Sequence, residues 1–226
     1  MISAMGMLHL VRHGQASFGA DDYDQLSELG ARQCRLLGEY WRARGQGFEA
    51  VLTGSLKRHA QSLAAIAAGL GGAPEPLVWE GLNEYDSEAL IRAVHPEPLP
   101  RPTDAEMVKQ HFRLLRRALQ AWMQGETKPQ GMPSHADFVA GVAGALAHVR
   151  AQCRGEVLIV SSGGPIATAV AQVLGAPPEA AIELNLRIRN SAVSEFVFNP
   201  QRHSLHSFNQ LPHLDSDATR ALQTYA

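Results

Sequence analysis

Short apolar runs alternate with longer amphipathic ones along this chain, and no other feature limits its fold as strongly. Met7, Leu8, Leu10 and Val11 read as a short buried strand, with Ala50–Thr53 and Leu77–Trp79 as a second and third. Helical spacing separates them. Ser27 can cap a helix whose Leu29, Leu36, Leu37, Tyr40 and Trp41 share a face, ending at Gly45 or Gly47. Gly54-Ser55 opens another, with Leu56, Ala60, Leu63, Ala64, Ala67 and Leu70 on one face and Gly71-Gly72 as its stop. Strand, helix, strand, helix at this spacing implies right-handed βαβ units and a mostly parallel sheet.

The middle of the chain is helical by pattern. Glu80–Asp86 follows the third strand, and from His95 to Pro102 four prolines predict an irregular connection. Thr103-Asp104-Ala105-Glu106 reads as a capping box. The helix behind it aligns Val108, Phe112, Leu115, Leu119 and Trp122 and stops near Gly125. A polar loop, Glu126–Pro133, leads to a helix from Ser134 to about Cys153 with Phe138, Val142, Leu146 and Val149 inward. Val157–Val160 is the most buried strand by composition, a continuous apolar run. It enters Ser161-Ser162-Gly163-Gly164 and a helix with Pro165 near its start and Gly175 after its end. Leu186–Phe198 and Ser204–Phe208 predict a hairpin about Asn199-Pro200-Gln201, adding antiparallel strands at a sheet edge. The tail from Leu211 to Ala226 is expected to pack across the surface.

With 226 residues, one α/β domain over 1–226 is the natural expectation. A hydrophobic content of 45% and a charged content of 19% are ordinary for a soluble chain. A formal net charge of −2 gives no reason to expect nucleic acid or an anionic membrane as partner, so any anion affinity must come from a local cationic cluster. Cys34 and Cys153 form no disulfide or metal pattern, which suits a reducing cytoplasm. Residues 1–6 lack a basic segment followed by an apolar one, and no apolar run approaches membrane-spanning length. A cytoplasmic location is expected. His203 and His206, an odd number of positions apart in a strand, fall on opposite faces, and no cluster has zinc-like spacing, so no metal is assigned. Gly163-Gly164 is too short for a dinucleotide or P-loop fingerprint, and no Gly-x-Ser-x-Gly elbow appears.

The first strand stops at Arg12-His13-Gly14, and ligand sites in open α/β sheets lie beyond the carboxyl ends of strands. A guanidinium fork suits phosphate oxygens, and a neutral imidazole can attack phosphorus and form a covalent intermediate. Taken alone, these residues are equally compatible with a strand capped by polar side chains.

Four segments resemble, in order, the histidine phosphatase superfamily in its phosphoglycerate-mutase-like branch. Leu10-Val11-Arg12-His13-Gly14-Gln15 resembles the family signature. Leu26–Gln33 resembles its Leu-Thr-x-x-Gly-x-x-Gln helix start, and Ser55–Ser62 its Ser-x-Leu-x-Arg-Ala-x-Gln-Thr segment. Val160–Ile166 resembles its Val-Ser-His-Gly-Gly-x-Ile segment. The matches span residues 7 to about 198. The resemblance implies a three-layer α/β/α fold, mostly parallel with an antiparallel C-terminal edge, and a helical lid inserted at about 86–133. It also implies a phosphatase of small phosphomonoesters that needs neither metal nor cofactor. By the same resemblance His13 is the nucleophile, Arg12 and Arg58 clamp the phosphoryl oxygens, and Glu84 is the acid, with Glu80 and Glu88 as its rivals. Gln15, Ser17, Ser162 and Gly163 are expected to contact substrate.

One departure stands out, because the family has a second histidine where this chain has Ser162. Serine keeps a hydrogen bond but loses charge and reach, which disfavours a mutase and leaves two readings open. One is a phosphatase of reduced activity; the other is a weak or inactive phospho-ligand-binding or regulatory protein of the same fold. His59 stands where the family usually has alanine and could supply an imidazole to the pocket. The exposed sheet edge at the C-terminal hairpin could pair two subunits as a homodimer.

Overall fold

The computed structural model of the chain describes residues 5–17, 24–100 and 104–225. β1 (Gly6–Arg12) leads by way of a bridge between Ala16 and Leu26 into α1 (Glu28–Arg42), whose cap is Ser27, its side chain accepting from Gly30 N. β2 (Ala50–Thr53) precedes α2 (Lys57–Leu70). Leu56 is the N-cap of α2 and offers no side-chain acceptor; Asp24, far back in the chain, accepts from Lys57 N at 2.9 Å instead. The helix therefore starts two residues later than its Gly54-Ser55 turn suggests. Of the predicted third strand only β3 (Leu77–Val78) forms, and both of its side chains are exposed because it is a sheet edge.

The next helices include two that periodicity does not single out. α3 (Ser87–Val94) is short and is capped by Asp86, which accepts from Glu88 N and Ala89 N. α4 (Ala105–Met123) is capped by Asp104 accepting from Glu106 N and Met107 N. The N-cap is thus Asp104; Glu106 pairs with Arg113 at 3.1 Å, and the capping-box partner Thr103 lies outside the described residues. Leu115, Leu119 and Trp122 are buried as expected, whereas Val108 and Phe112 are 41% and 36% exposed, since the first turns of α4 project from the core. α5 (His135–Gln152) buries Phe138, Val142, Leu146 and Val149 as its pattern requires. β4 (Glu156–Ser161), α6 (Gly163–Leu174) and α7 (Ala180–Asn185) follow. β5 (Val193–Phe198) and β6 (His203–Gln210) make the hairpin, with Asn199 N donating to Arg202 O. Leu186–Ala192 is not strand, as Ser191 takes a positive φ of 57° that breaks an extended run. The tail does more than cover surface: Leu211 and Leu214 are core residues.

The sheet order is β3-β2-β4-β1-β5-β6, parallel from β3 to β1 and antiparallel at β5 and β6. Two-residue periodicity divides the strands between two cores. Leu8, Leu10, Leu52, Val157 and Ile159 join residues of α3 to α7 on one face. Val11, Val51, Leu158 and Val160 meet Cys34, Leu37, Trp41, Leu63 and Ile66 of α1 and α2 on the other. Helices thus cover both faces, giving three layers and explaining the unbroken apolar run of β4. The register Arg12↔Ser161 and Thr53↔Val160 brings the carboxyl ends of β1, β4 and β2 side by side.

Candidate active site

Just past those strand ends the chain bends inward. His13 N donates to Ser161 O at 2.9 Å, and His13 O accepts from Ser191 N at 3.2 Å, fixing the turn between β4 and the segment before β5. Gly14 N donates to Ser62 Oγ at 3.1 Å, and Ser62 Oγ donates to Arg58 O at 2.7 Å, tying the turn to the first coil of α2. The His13 ring is 4% exposed, and its Nδ1 lies 2.7 Å from the Gly14 carbonyl. A carbonyl only accepts, so Nδ1 carries the proton and Nε2 keeps its lone pair. Burial, with Arg12 and Arg58 close by, holds the His13 pKa well below the ordinary histidine value.

Two guanidiniums enclose this imidazole. Arg12 is 6% exposed and donates to Ile188 O. Arg58 is 8% exposed and donates through Nη1 to Asp24 Oδ1 at 2.8 Å. Arg58 sits in the first turn of α2, where the helix dipole adds positive potential. The two guanidiniums put positive potential around the imidazole, a setting that favours an anion beside it.

Glu84 reaches the same place from the loop after β3. Ser161 Oγ donates to Leu82 O at 2.6 Å, and Asn83 and Ser55 exchange two hydrogen bonds of 2.7 Å, which pins that loop. Glu84 Oε2 accepts from Gly164 N at 3.1 Å and Oε1 from Tyr85 N at 3.3 Å. Burial lifts its pKa above the usual carboxylate range despite the opposing pull of these amides and of Arg58 and Arg12. Its rivals lie elsewhere: Glu80 is exposed, and Glu88 is exposed and pairs with Arg92 at 3.6 Å. Ser162 is fully buried at the start of α6, and a Cβ on Gly163 would stand 3.8 Å from Arg12 Cζ.

His13, Arg12, Arg58, Glu84, Ser162 and Gly163 therefore meet at one pocket. Gln15 is turned partly aside, its Oε1 accepting from Ser27 Oγ at 3.0 Å at the start of α1. Ser17 N donates to Gln25 O at 2.7 Å, at the foot of the first loop; the rest of that loop, residues 18–23, lies outside the described residues. Sequence reasoning misses three contributors. Asp24 holds Arg58; Tyr85 OH accepts from Asn185 Nδ2 at 2.5 Å; and Asn185 Oδ1 crowds Gly163 so closely that a Cβ there would overlap it. None of the three lies in a matched segment, whereas Ser62, four residues on from Arg58 in α2, does.

The histidine phosphatase superfamily (branch 1) model matches residues 8–211. No curated protein matches the chain by sequence. Among solved structures, the α-ribazole phosphatase of Shigella flexneri is similar at 18% identity and a TM-score of 0.64, over 91% of this chain and 96% of that one. A phosphoglycerate mutase from Bacillus anthracis is similar at 15% identity and a TM-score of 0.64, over 93% and 96%. A phosphoserine phosphatase from Entamoeba histolytica, in complex with 3-phosphoglyceric acid, is similar at 21% identity and a TM-score of 0.64, over 92% and 99%. At these identities the structures speak for the fold, and the family model, which covers most of the chain, for descent. The chain belongs to the histidine phosphatase superfamily, branch 1.

Proposed function

We propose that this protein is a metal-independent phosphatase of small phosphomonoesters that works through a phosphohistidine at His13. The observation that carries the reading is a buried imidazole whose Nδ1 lies 2.7 Å from Gly14 O, flanked by two buried guanidiniums, a setting that favours the neutral form with its lone pair on Nε2. In the first step Nε2 attacks phosphorus, the P–N bond forms and the bond to the leaving oxygen breaks. Glu84, kept protonated more readily by burial, gives its proton to that oxygen. In the second step Glu84 takes a proton from water as the water oxygen attacks phosphorus. The P–N bond then breaks, its electron pair returns to Nε2, and inorganic phosphate leaves. Arg12 and Arg58 meet the peripheral oxygens throughout.

The phosphatases and the mutase among the similar folds support phosphate-ester chemistry in this pocket. Tyr85 forms a wall of the site beside Glu84 and packs on Trp122 of α4 and Phe138 of α5. On that basis the helices at about 86–133 serve as the lid that selects substrate. A second reading, a phospho-ligand-binding protein with little turnover, draws on Ser162, which stands where the resemblance expects a second histidine. The deciding experiment is hydrolysis of a generic aryl phosphate by native protein and by His13→Ala, with chelator present. Activity that persists in chelator and is lost in the variant is the expected result; no hydrolysis by the native protein would move the assignment to the binding reading.

A further inference from the structure

The reaction outlined above leaves one buried titratable side chain at the pocket without a role. His59, in the first turn of α2, is fully buried, and its ring centre lies 5.8 Å from that of His13. Its Nε2 is 2.7 Å from Ser162 Oγ. Its Nδ1 has no hydrogen-bond partner among the described residues and faces Gly54, where any Cβ would overlap it. That position on the turn after β2 must be glycine for the imidazole to fit.

Ser162 is equally unusual. It is the N-cap residue of α6, yet its side chain caps nothing. His59 is its side chain's one partner among the described residues. The bond between them can be made in two ways. If serine donates, the proton of the imidazole sits on Nδ1, leaving a buried N–H with nothing to accept it. If Nε2 donates, Nδ1 holds only a bare lone pair. Orphaned buried N–H groups are the rarer and costlier case, so His59 is the donor. The serine proton is then left for an acceptor on the pocket side, where Gly163 borders Arg12.

Resting on the phosphatase reading, we infer that His59 and Ser162 form a relay: His59 Nε2–H donates to Ser162 Oγ, and Ser162 Oγ–H donates to a phosphoryl oxygen. Ser162 is then a catalytic residue and His59 a positioning residue, which serves the reaction only through Ser162. Burial and Arg58 lower the His59 pKa to about 3, so what the relay contributes is an aimed dipole and not a second cation. This also distinguishes it from a histidine placed directly against the phosphate.

The test compares native protein with Ser162→Ala, His59→Phe, His59→Gln and the Ser162→Ala/His59→Phe pair, on aryl phosphate hydrolysis and on binding of inorganic phosphate by calorimetry. Ser162→Ala should lower kcat roughly 10²-fold, the loss found for one preorganised donor, with a much smaller change in KM. His59→Phe should lose less than that, and His59→Gln, whose amide can still donate, should recover part of the loss. Once the hydroxyl is gone, His59→Phe should cost nothing more. Losses that multiply in the double variant, or native kcat in His59→Phe, would overturn the relay. If the native protein hydrolyses nothing, the phosphatase reading fails by itself, and the same non-additivity in phosphate affinity decides the relay. Should His59→Phe fail to fold, nitrogen-15 spectra of the native imidazole decide: a proton on Nε2 of His59 is expected, and one on Nδ1 would refute the proposal.

Discussion

Arg58 is almost wholly buried, and the carboxylate that meets it comes from a loop 34 positions earlier. Asp24 has two tasks there. Its Oδ1 accepts from Arg58 Nη1 at 2.8 Å, and its carboxylate also accepts from the amides of Lys57 and Arg58 at 2.9 and 3.4 Å, so it caps α2 from outside. The tasks separate on substitution. Asp24→Ala loses both and should destabilise the fold by about 0.5–2 kcal/mol, the range for a lost N-cap. Asp24→Asn keeps an acceptor for the amides but not the charge that orients the guanidinium. It should therefore regain most of the stability in urea titration while kcat/KM stays about 10-fold down, as for lost partners of site residues. Equal kcat/KM in Asn and native protein would show that the pair does not position Arg58. The same residue shows where the sequence stops being readable. His13, Arg12, Arg58 and Ser162 can be nominated because each lies in a short contiguous motif, and Glu84 only because the resemblance expects an acid on the loop after the third strand. Asp24 on Arg58, Asn185 on Tyr85 and His59 on Ser162 join residues 34, 100 and 103 positions apart, and no local pattern encodes such pairs.

At the scale of elements, α1 and α2 lie unusually close because each offers a glycine to the other. A Cβ on Gly38 would overlap the carbonyl of Ile66, and one on Gly69 would overlap that of Arg35. Alanine normally favours a helix over glycine by about 0.8–1 kcal/mol. Here the overlap is with backbone, which cannot turn away as a side chain can, and overpacking costs about 1–3 kcal/mol. The clash should win. Gly38→Ala is expected to lower the urea midpoint, and a raised midpoint would contradict this account of the packing. Because α2 carries Arg58, His59 and Ser62, the variant should lose the proposed phosphatase activity as well. Elements of this kind are legible from periodicity only in part: α5 and β4 bury the residues their patterns mark, α1 buries Leu37 and Trp41 with Leu29, Leu36 and Tyr40 half-buried, and α2 buries Leu63 and Ile66 while Ala60 and Ala64 of its marked face are exposed. The exceptions have physical causes. α3 and α7, of 8 and 6 residues, are too short to display a period, and β3 is an edge strand whose apolar pair covers nothing. In α4 the apolar stripe runs on past the core that needs it, so Val108 and Phe112 emerge into solvent.

For the molecule as a whole, the buried histidines set how stability responds to acid. Burial lowers His59 and His213 to about 3 and His203 to about 4, and holds His13 well below its ordinary value. Each of His59, His203 and His213 has a ring nitrogen with no partner among the described residues, so protonation would put an unmatched charge in the interior. In the unfolded chain these side chains titrate near 6.5. Between that value and their folded values the unfolded state binds more protons, so stability must fall as pH falls. The slope is up to about 1.4 kcal/mol per pH unit for each histidine. Glu84 runs the other way, since its raised folded pKa gives stability that is lost as pH rises, but it is one group against four. Total stabilities of domains are typically about 5–15 kcal/mol, so a shift of this size is not a small correction. The urea midpoint should drop steadily from pH 7 to pH 5 and recover on return. His213→Gln, which can still bond to Ser191 Oγ, should make that titration shallower by about one histidine's share. A midpoint that does not move between pH 7 and pH 5 would mean that these histidines are protonated in the folded state. The neutral Nε2 of His13 would then have to be reassigned with them, while Nδ1–H would still donate to Gly14 O.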